Sequence, residues 1–207
     1  MEVFSHTLMC WFKEFLDPWV EFSSATSQGI EKPSMSIAPS QLCWAAPSTG
    51  WFKVNWDASF HKNRGWMGFE VVVRDDKGCL VVALGKMVVG CLDPTVAEAR
   101  ALLMAIKLCK DLGLRNTHFE GDAQGVINAI NSLGTNWSNK GLLADDIKRE
   151  LDGLSLWKVM FIRKEGNRVA HVLSKEATTS FLDKDWLFEL PDCIRELVLM
   201  ELNACTI

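Results

Sequence analysis

The sequence predicts an α/β fold in which a five-stranded mixed sheet, three antiparallel strands followed by two parallel ones, is flanked by helices. Up to Leu84, three strand-like segments are separated only by short turns, which is typical of an antiparallel meander. After Leu84, segments with a helical period alternate with short strand-like segments, and strands that are joined through helices pair in parallel. The composition, 48% hydrophobic and 23% charged, agrees with a globular domain.

The first three strands are predicted from residues 52 to 84. Phe52–Asp57 alternates strictly between apolar and polar residues, which indicates a strand with one buried face. Gly68–Arg74 forms the second strand, and the turn Asp75–Gly78 leads into the third, Cys79–Leu84. Connections this short make the three strands antiparallel neighbours.

The first helix is predicted from a repeating apolar face, and Gly113 is placed to end it. That face consists of Ala99, Leu102, Leu103, Ile106 and Cys109. A short strand follows at Thr117–Glu120, then helices at Ala123–Ser132 and Gly141–Leu151, a fifth strand at Leu156–Arg163 and a last helix at Asn167–Thr178, capped by Asn167. The predicted order is therefore βββαβααβα.

The two ends of the chain differ from its middle. Residues 1–50 contain a short amphipathic segment, Trp11–Leu16, and a linker rich in Pro and Ser, whereas residues 181–207 form an acidic tail or helix. Residues 51–180 form the predicted domain; they hold eighteen basic and fifteen acidic side chains and so carry a net charge of +3. The two ends carry net charges of −3 and −4, so the domain is the part of the chain best suited to bind phosphate groups.

The sequence contains no signal for export or for membrane insertion. No window approaches the roughly 18 unbroken apolar residues that span a bilayer, and the N-terminus carries Glu2 where a secretory signal would be basic. The seven cysteines include no C-x-x-C pair, which favours a reducing compartment. We expect an intracellular protein of the nucleus or cytoplasm.

Three acidic residues that are distant in sequence are predicted to meet at one edge of the sheet. Asp57 is the last residue of the first predicted strand, Glu98 lies in the first turn of the first helix, and Asp122 lies at the C-terminal end of the fourth strand. Converging carboxylates repel each other, and a divalent cation is what best holds them together. The sequence therefore predicts a metal site formed by Asp57, Glu98 and Asp122.

Four spaced motifs resemble the ribonuclease H-like (RNase H type-1) domain, especially the plant branch associated with the reverse transcriptases of non-LTR retroelements. The resemblance covers about 130 of the 207 residues. It rests on Asn55–Ser59, Ala97–Ala99, Glu120–Gln124 and Gly166–Lys175, in the order in which that family has them. It implies an RNase H-like fold in which the predicted sheet carries a nuclease site.

The resemblance also implies an activity, a cofactor and a partner. The activity is hydrolysis of the RNA strand of RNA–DNA hybrids by two-metal catalysis, with two magnesium (or manganese) ions. Asp57 would bridge both ions, and Glu98 and Asp122 would complete the site. The hybrid is the expected nucleic-acid partner, and its minor groove would lie against Ala58 (through the backbone N–H), Ser59 and Gln124.

One catalytic position departs from the family. His171 stands where the nuclease members have a fourth acid, and a neutral imidazole favours manganese or zinc over magnesium. This leaves three functions open: a hybrid-cleaving nuclease, whose activity His171 weakens; a hybrid-binding module without turnover; and a protein-interaction domain.

Each of these residues also has a purely structural interpretation. Asp57 could end a strand, and Glu98 could form a capping box with Thr95 at the start of the helix. Asp122 could be the N-cap of the next helix, and His171 could be an ordinary helix residue. If the acids only cap helices, the protein-interaction interpretation follows.

Overall fold

The computed structural model describes residues 44–61, 63, 65–90, 93–132, 139–180 and 184–204. The predicted helix at Trp11–Leu16 and most of the predicted linker lie outside these residues. Within the part of the chain that is described, no helix is long and apolar enough to cross a membrane.

The described elements form a six-stranded sheet with helices on both faces. The strands are β1 (Phe52–His61), β2 (Trp66–Arg74), β3 (Leu80–Val89), β4 (Asn116–Gly121), β5 (Leu156–Phe161) and β6 (Lys184–Leu187). The helices are α1 (Pro94–Asp111), α2 (Gln124–Asn131), α3 (Asn139–Leu151), α4 (Arg168–Ser180) and α5 (Asp192–Ala204).

The strand order is β5-β4-β1-β2-β3-β6. The predicted α/β fold is confirmed, because β1, β2 and β3 pair antiparallel whereas β4 pairs in parallel with β1 and with β5. The predicted number of five strands is wrong. A sixth strand, β6, pairs antiparallel with β3. Its four residues, Lys-Asp-Trp-Leu, are too few to show an alternating pattern, and only the free edge of β3 makes them a strand.

The larger core lies between one face of the sheet and helices α1, α2 and α3. Trp56, Phe69 and Val71 lie on this face and are almost completely buried. Leu102 and Ile106 of α1 pack against them, as the helical period predicts. This core holds β1 and β4 rigidly beside α1, which is the arrangement that the predicted metal site requires.

The opposite face of β1 is polar but also buried. Lys53, Asn55 and Asp57 are at most 3% exposed, so the prediction of a strand with one solvated face is wrong. Helix α4 packs over β1 and β2, and Trp44 lies against Lys53 and Asn55. The alternation of apolar and polar residues in β1 does not reveal this cover. Helix α4 is far from β1 in the sequence, and Trp44 lies outside the predicted domain.

Residues beyond the predicted domain limits of 51–180 pack against the sheet. Trp44 is 2% exposed, and its ring lies 3.5 Å from the guanidinium carbon of Arg74. Helix α5 buries Ile194 and Val198 against α4, and Glu201 forms an ion pair with the buried Arg74. The limits of the stable unit stay a prediction, and these contacts favour wider ones.

Candidate metal centre

The three predicted acids converge in the structure. One carboxylate oxygen each of Asp57, Glu98 and Asp122 can be chosen so that all three lie within 4.8 Å of one another. Asp57 lies within β1, Glu98 in α1, and Asp122 directly after β4. Parallel pairing of β1 with β4 carries two of the acids to the same end of the sheet. The site's geometry agrees with the prediction, whereas the chemical roles of its residues stay predictions.

The structure does not give Asp57 and Glu98 the purely structural roles of ending a strand and capping a helix. Strand β1 continues to His61, so Asp57 does not end it. The N-cap of α1 is Asp93, whose side chain accepts from the N–H of Val96. Glu98 is thus the fifth helical residue, just beyond the first turn where we expected it, because Asp93-Pro94 starts the helix earlier.

Asp122 does not cap the helix that follows it. Ala123 occupies the N-cap position of α2, and within the described part of the chain no side chain caps the first helical N–H groups. The pKa of Asp122 is raised, first by burial and then by the charge of Asp57, whereas its own N–H, His171 and Lys164 act in the opposite direction. The Asp122 carboxylate thus lies beside those of Asp57 and Glu98.

Glu98 is the most strongly perturbed of the three acids. Burial, followed by the charges of Asp57 and Asp122, raises the pKa of Glu98 to about 9, although a hydrogen bond from the backbone of Ala58 acts in the opposite direction. Its Oε2 is buried and has no hydrogen-bond partner among the described residues. An unpaired buried oxygen beside two further carboxylates is the environment that a divalent cation would stabilise.

The spacing between β1 and β4 is set directly beside the acids. Trp56 precedes Asp57, and Gly121 precedes Asp122. A Cβ atom at position 121 would overlap the six-membered ring of the Trp56 indole, so only glycine lets the indole lie there. The contact between Trp56 and Gly121 thus determines how closely the two acids approach.

Helix α4 contributes two hydrogen bonds to Asp57. Ser174 Oγ donates to Asp57 Oδ2 over 2.7 Å, and His171 Nδ1 lies 2.9 Å from the same oxygen. The side chain of Asp57 is only 4% exposed. His171 therefore lies at the site, as the resemblance implied, and contacts an acid instead of adding one.

Asn167 fixes where α4 begins. Its Nδ2 donates to the backbone oxygen of Trp56 over 2.8 Å, and its Oδ1 accepts from Asn55 over 3.2 Å. Its backbone oxygen accepts from the N–H of His171. The sequence predicted Asn167 only as a helix cap and missed the link to β1, which depends on a contact across more than 100 residues.

A fourth acid, Glu70 on β2, was missed. It lies directly opposite Asp57 in the β1–β2 register and is completely buried. Burial, then the charges of Asp57 and Glu98, raise the pKa of Glu70 well above its usual range. The available signal was one acid inside the apolar stretch of β2, at a position that the meander places beside Asp57.

The residues predicted to contact nucleic acid lie around the acids. The backbone of Ala58 hydrogen bonds to Glu98, and Ser59 Oγ donates to the backbone oxygen of Ser174 over 2.6 Å. Gln124 is exposed at the start of α2, where its Nε2 donates to Asn128 over 2.9 Å. Their contact with a minor groove stays a prediction.

A sequence profile for the family described as Reverse transcriptase-like matches residues 55–177, more than half of the chain. The chain belongs to the reverse transcriptase-like family. The match contains all four of the acids described above and His171. A search of curated proteins found no match.

Solved structures similar to this reverse transcriptase-like chain include ribonucleases H. RNase H1 from Halobacterium salinarum NRC-1 is 21% identical with a TM-score of 0.58, and the match covers 63% of this chain and 98% of that one. The N-terminal RNase H domain of rv2228c from Mycobacterium tuberculosis is 17% identical, with a TM-score of 0.56 and coverages of 63% and 94%. LC11-RNase H1, solved in complex with an RNA/DNA hybrid, is 18% identical, with a TM-score of 0.56 and coverages of 63% and 98%. At these identities, the likeness establishes the RNase H-like fold.

Proposed function

We propose that this chain is an RNase H-type endonuclease that binds RNA–DNA hybrids and hydrolyses their RNA strand by two-metal catalysis with magnesium or manganese. The observation that carries the proposal is the convergence of Asp57, Glu98 and Asp122 within 4.8 Å on an RNase H-like fold. Support for the substrate comes from LC11-RNase H1, which shares the fold and was solved with a hybrid.

The donor set fits divalent cations that prefer oxygen ligands. Asp57 would be the shared ligand of the two ions, and Glu98 and Asp122 would complete the site. Bound ions would supply Lewis-acid stabilisation of charge on the phosphate oxygens and would acidify a water molecule. The α4 side chains His171 and Ser174 hold the Asp57 carboxylate in a fixed orientation.

The surface beside the acids would provide the contacts with the hybrid. Ser59 on β1 and Gln124 at the start of α2 each follow an acid of the site by two residues. The 2′-hydroxyls in a minor groove are what distinguishes RNA from DNA. Ala58 positions Glu98 through its backbone. The net charge of +3 over residues 51–180 favours phosphate binding.

A cleavage assay on an end-labelled RNA, paired with DNA, paired with RNA or left single-stranded, tests the proposal. With magnesium or manganese, the wild-type protein should cut the RNA within the hybrid only. Asp57→Asn should abolish the cleavage, whereas Asp152→Asn, the same change in an exposed turn, should not. Cleavage that persists in Asp57→Asn, or that ignores the pairing state of the RNA, contradicts the assignment.

The second candidate is a hybrid-binding module with little or no turnover. One observation favours it. Oδ2 of Asp57 already accepts a hydrogen bond from Ser174 and lies against His171, so two groups compete with a cation for this oxygen. Binding of the labelled hybrid without cleavage in either metal would establish this candidate. A protein-interaction domain is not favoured, since Asp93 and Ala123, not Glu98 and Asp122, occupy the cap positions.

We also infer an origin in the plant non-LTR retroelement branch and an intracellular location, in the nucleus or cytoplasm. The origin is supported by the motifs at Asn55–Ser59 and Gly166–Lys175 and by membership of the reverse transcriptase-like family. A phylogeny of family members that placed this chain outside that branch would contradict the origin. Expression with a fluorescent tag at either end would test the location.

A further inference from the structure

Glu70 is a buried acid for which the proposed reaction has no role. It lies on β2 directly across from Asp57, and directly opposed residues of antiparallel strands point to the same face with Cβ atoms about 4.5–5.5 Å apart. Its neighbour on the other side, in β3, is Gly85, which contributes no side chain. Glu70 is therefore beside Asp57 on the same face of the sheet, and no side chain at position 85 stands on its other side.

The Glu70 carboxylate has no balancing group among the described residues. Its relative exposure is 0%, and neither oxygen has a hydrogen-bond partner there. Other buried charges on the same face are paired: Lys53 Nζ lies 2.8 Å from Glu120, and Arg74 bonds to Glu201. Because a buried ionised carboxylate without a partner is strongly unfavourable, Glu70 either keeps a proton or pairs with a cation that this part of the chain does not supply.

We propose that Glu70 is a further ligand of the divalent cation held by Asp57 and Glu98. The inference rests on the cation site of the proposed function and adds a residue to it. A cation would pair with the two oxygens that lack partners and would offset the repulsion between Glu70 and Asp57.

The position of His171 makes a fourth carboxylate chemically useful. Three acids and an imidazole give the centre fewer negative charges than four acids would. Glu70 would restore that charge from β2 instead of from α4. Selectivity for hard cations would then be maintained despite the imidazole.

Calorimetric titration with manganese chloride, together with thermal melts, tests this ligand on the full chain. Glu70→Gln preserves the shape of the side chain and removes its charge, so it should raise the metal-free melting temperature and weaken manganese binding at least tenfold. Glu70→Ala removes the oxygen atoms altogether and should weaken binding at least as much. Glu196→Gln, the same change on the exposed side of α5, should alter neither quantity.

The outcomes separate this inference from the proposed function. Wild-type affinity for manganese in either Glu70 variant, with binding lost in Asp57→Asn, overturns the ligand role and leaves the three-acid site intact; Glu70 is then a neutral buried acid. Absence of manganese binding in the wild-type protein overturns both. A loss of at least tenfold in both Glu70 variants, with Glu196→Gln unchanged, supports the assignment.

Discussion

Nδ1 of His171 lies 2.9 Å from Oδ2 of Asp57, so the residue that replaces the fourth acid of the nuclease pattern is in contact with the acid at the centre of the site. An ionised carboxylate only accepts hydrogen bonds, so a hydrogen bond to ionised Asp57 requires the proton on Nδ1. In this arrangement the imidazole binds Asp57 through its N–H and presents no negative charge to a cation.

Replacing His171 with Asp should raise magnesium-dependent cleavage of hybrids. A carboxylate would add charge and hard oxygen ligands to the metal centre, while the start of α4, fixed by Asn167, would not change. We expect a rate increase of tenfold or more in magnesium, a smaller one in manganese, and hybrid affinity within about twofold of wild type. Single-turnover cleavage rates in each metal measure this.

The control for this change is His171→Asn, which removes the imidazole without adding a charge. It should leave the magnesium rate at or below that of the wild-type protein. Equal rates for His171→Asp and the wild-type protein would show that position 171 does not limit the reaction.

Asp57→Asn should abolish the stabilisation of the protein by magnesium or manganese. A cation that binds only the folded state adds roughly 2.7 kcal/mol when its concentration is a hundred times its Kd. Thermal melts with chelator and with excess metal measure this, and Asp152→Asn serves as the matched control because it lies in an exposed turn. A metal-induced shift of normal size in Asp57→Asn would mean that the cation binds elsewhere.

The metal-free protein should lose stability as the pH rises from about 5 to 9. Burial and the charges of Asp57 and Asp122 raise the pKa of Glu98 from its usual 4.5 to about 9, so the folded state holds a proton that the unfolded state releases in this range. The stability is complete below the unfolded pKa and is lost as the pH approaches the folded one. Melting temperatures in chelator, from pH 5 to 9, should therefore fall by about 2–4 °C for each kcal/mol lost.

Glu98→Gln should make the melting temperature of the metal-free protein less dependent on pH. Part of the dependence will remain, because the pKa values of Glu70 and Asp122 are also raised. Adding magnesium should restore most stability at high pH, where protons no longer compete with it. A profile that is equally steep in Glu98→Gln would assign the pH dependence to other groups.

A fragment limited to residues 51–180 should be markedly less stable than one that spans residues 44–204. It lacks Trp44, Ile194 and Val198, and full burial of each such side chain is worth roughly 1.5–3 kcal/mol, so a loss of at least about 4 kcal/mol is expected. Urea unfolding measures the difference, with Met200→Ser, at a 61% exposed position, as a control of negligible effect. Equal stabilities would establish the narrower limits as the complete folding unit.

Local patterns in the sequence were enough to predict most of the architecture. The turn at Asp75–Gly78 identified the β2–β3 hairpin, and the apolar face of α1 identified the core helix. Once the strands and their order were known, the positions of Asp57 and Asp122 followed from parallel pairing. These features depend on neighbours within a few residues or on general rules of sheet topology.

The features that the sequence did not predict depend on contacts between distant segments. Glu70 and Asp57 become neighbours only through the register of β1 with β2, and Asn167 meets Trp56 across 111 residues. Trp44 looked like part of a linker, since nothing nearby shows that it covers Arg74. Such relationships require the three-dimensional arrangement, because no periodicity encodes them.

Trp56 has no group that could take part in hydrolysis, but it sets the spacing between β1 and β4 beside the acids. The indole of Trp56 occupies the space that a side chain at position 121 would need. The backbone oxygen of Trp56 accepts a hydrogen bond from Asn167. A residue larger than glycine at 121 would demand a smaller one at 56. Among relatives that keep Asp57 and Asp122, the two positions should therefore covary, and lineages in which the pair no longer matches should also have lost one of the acids.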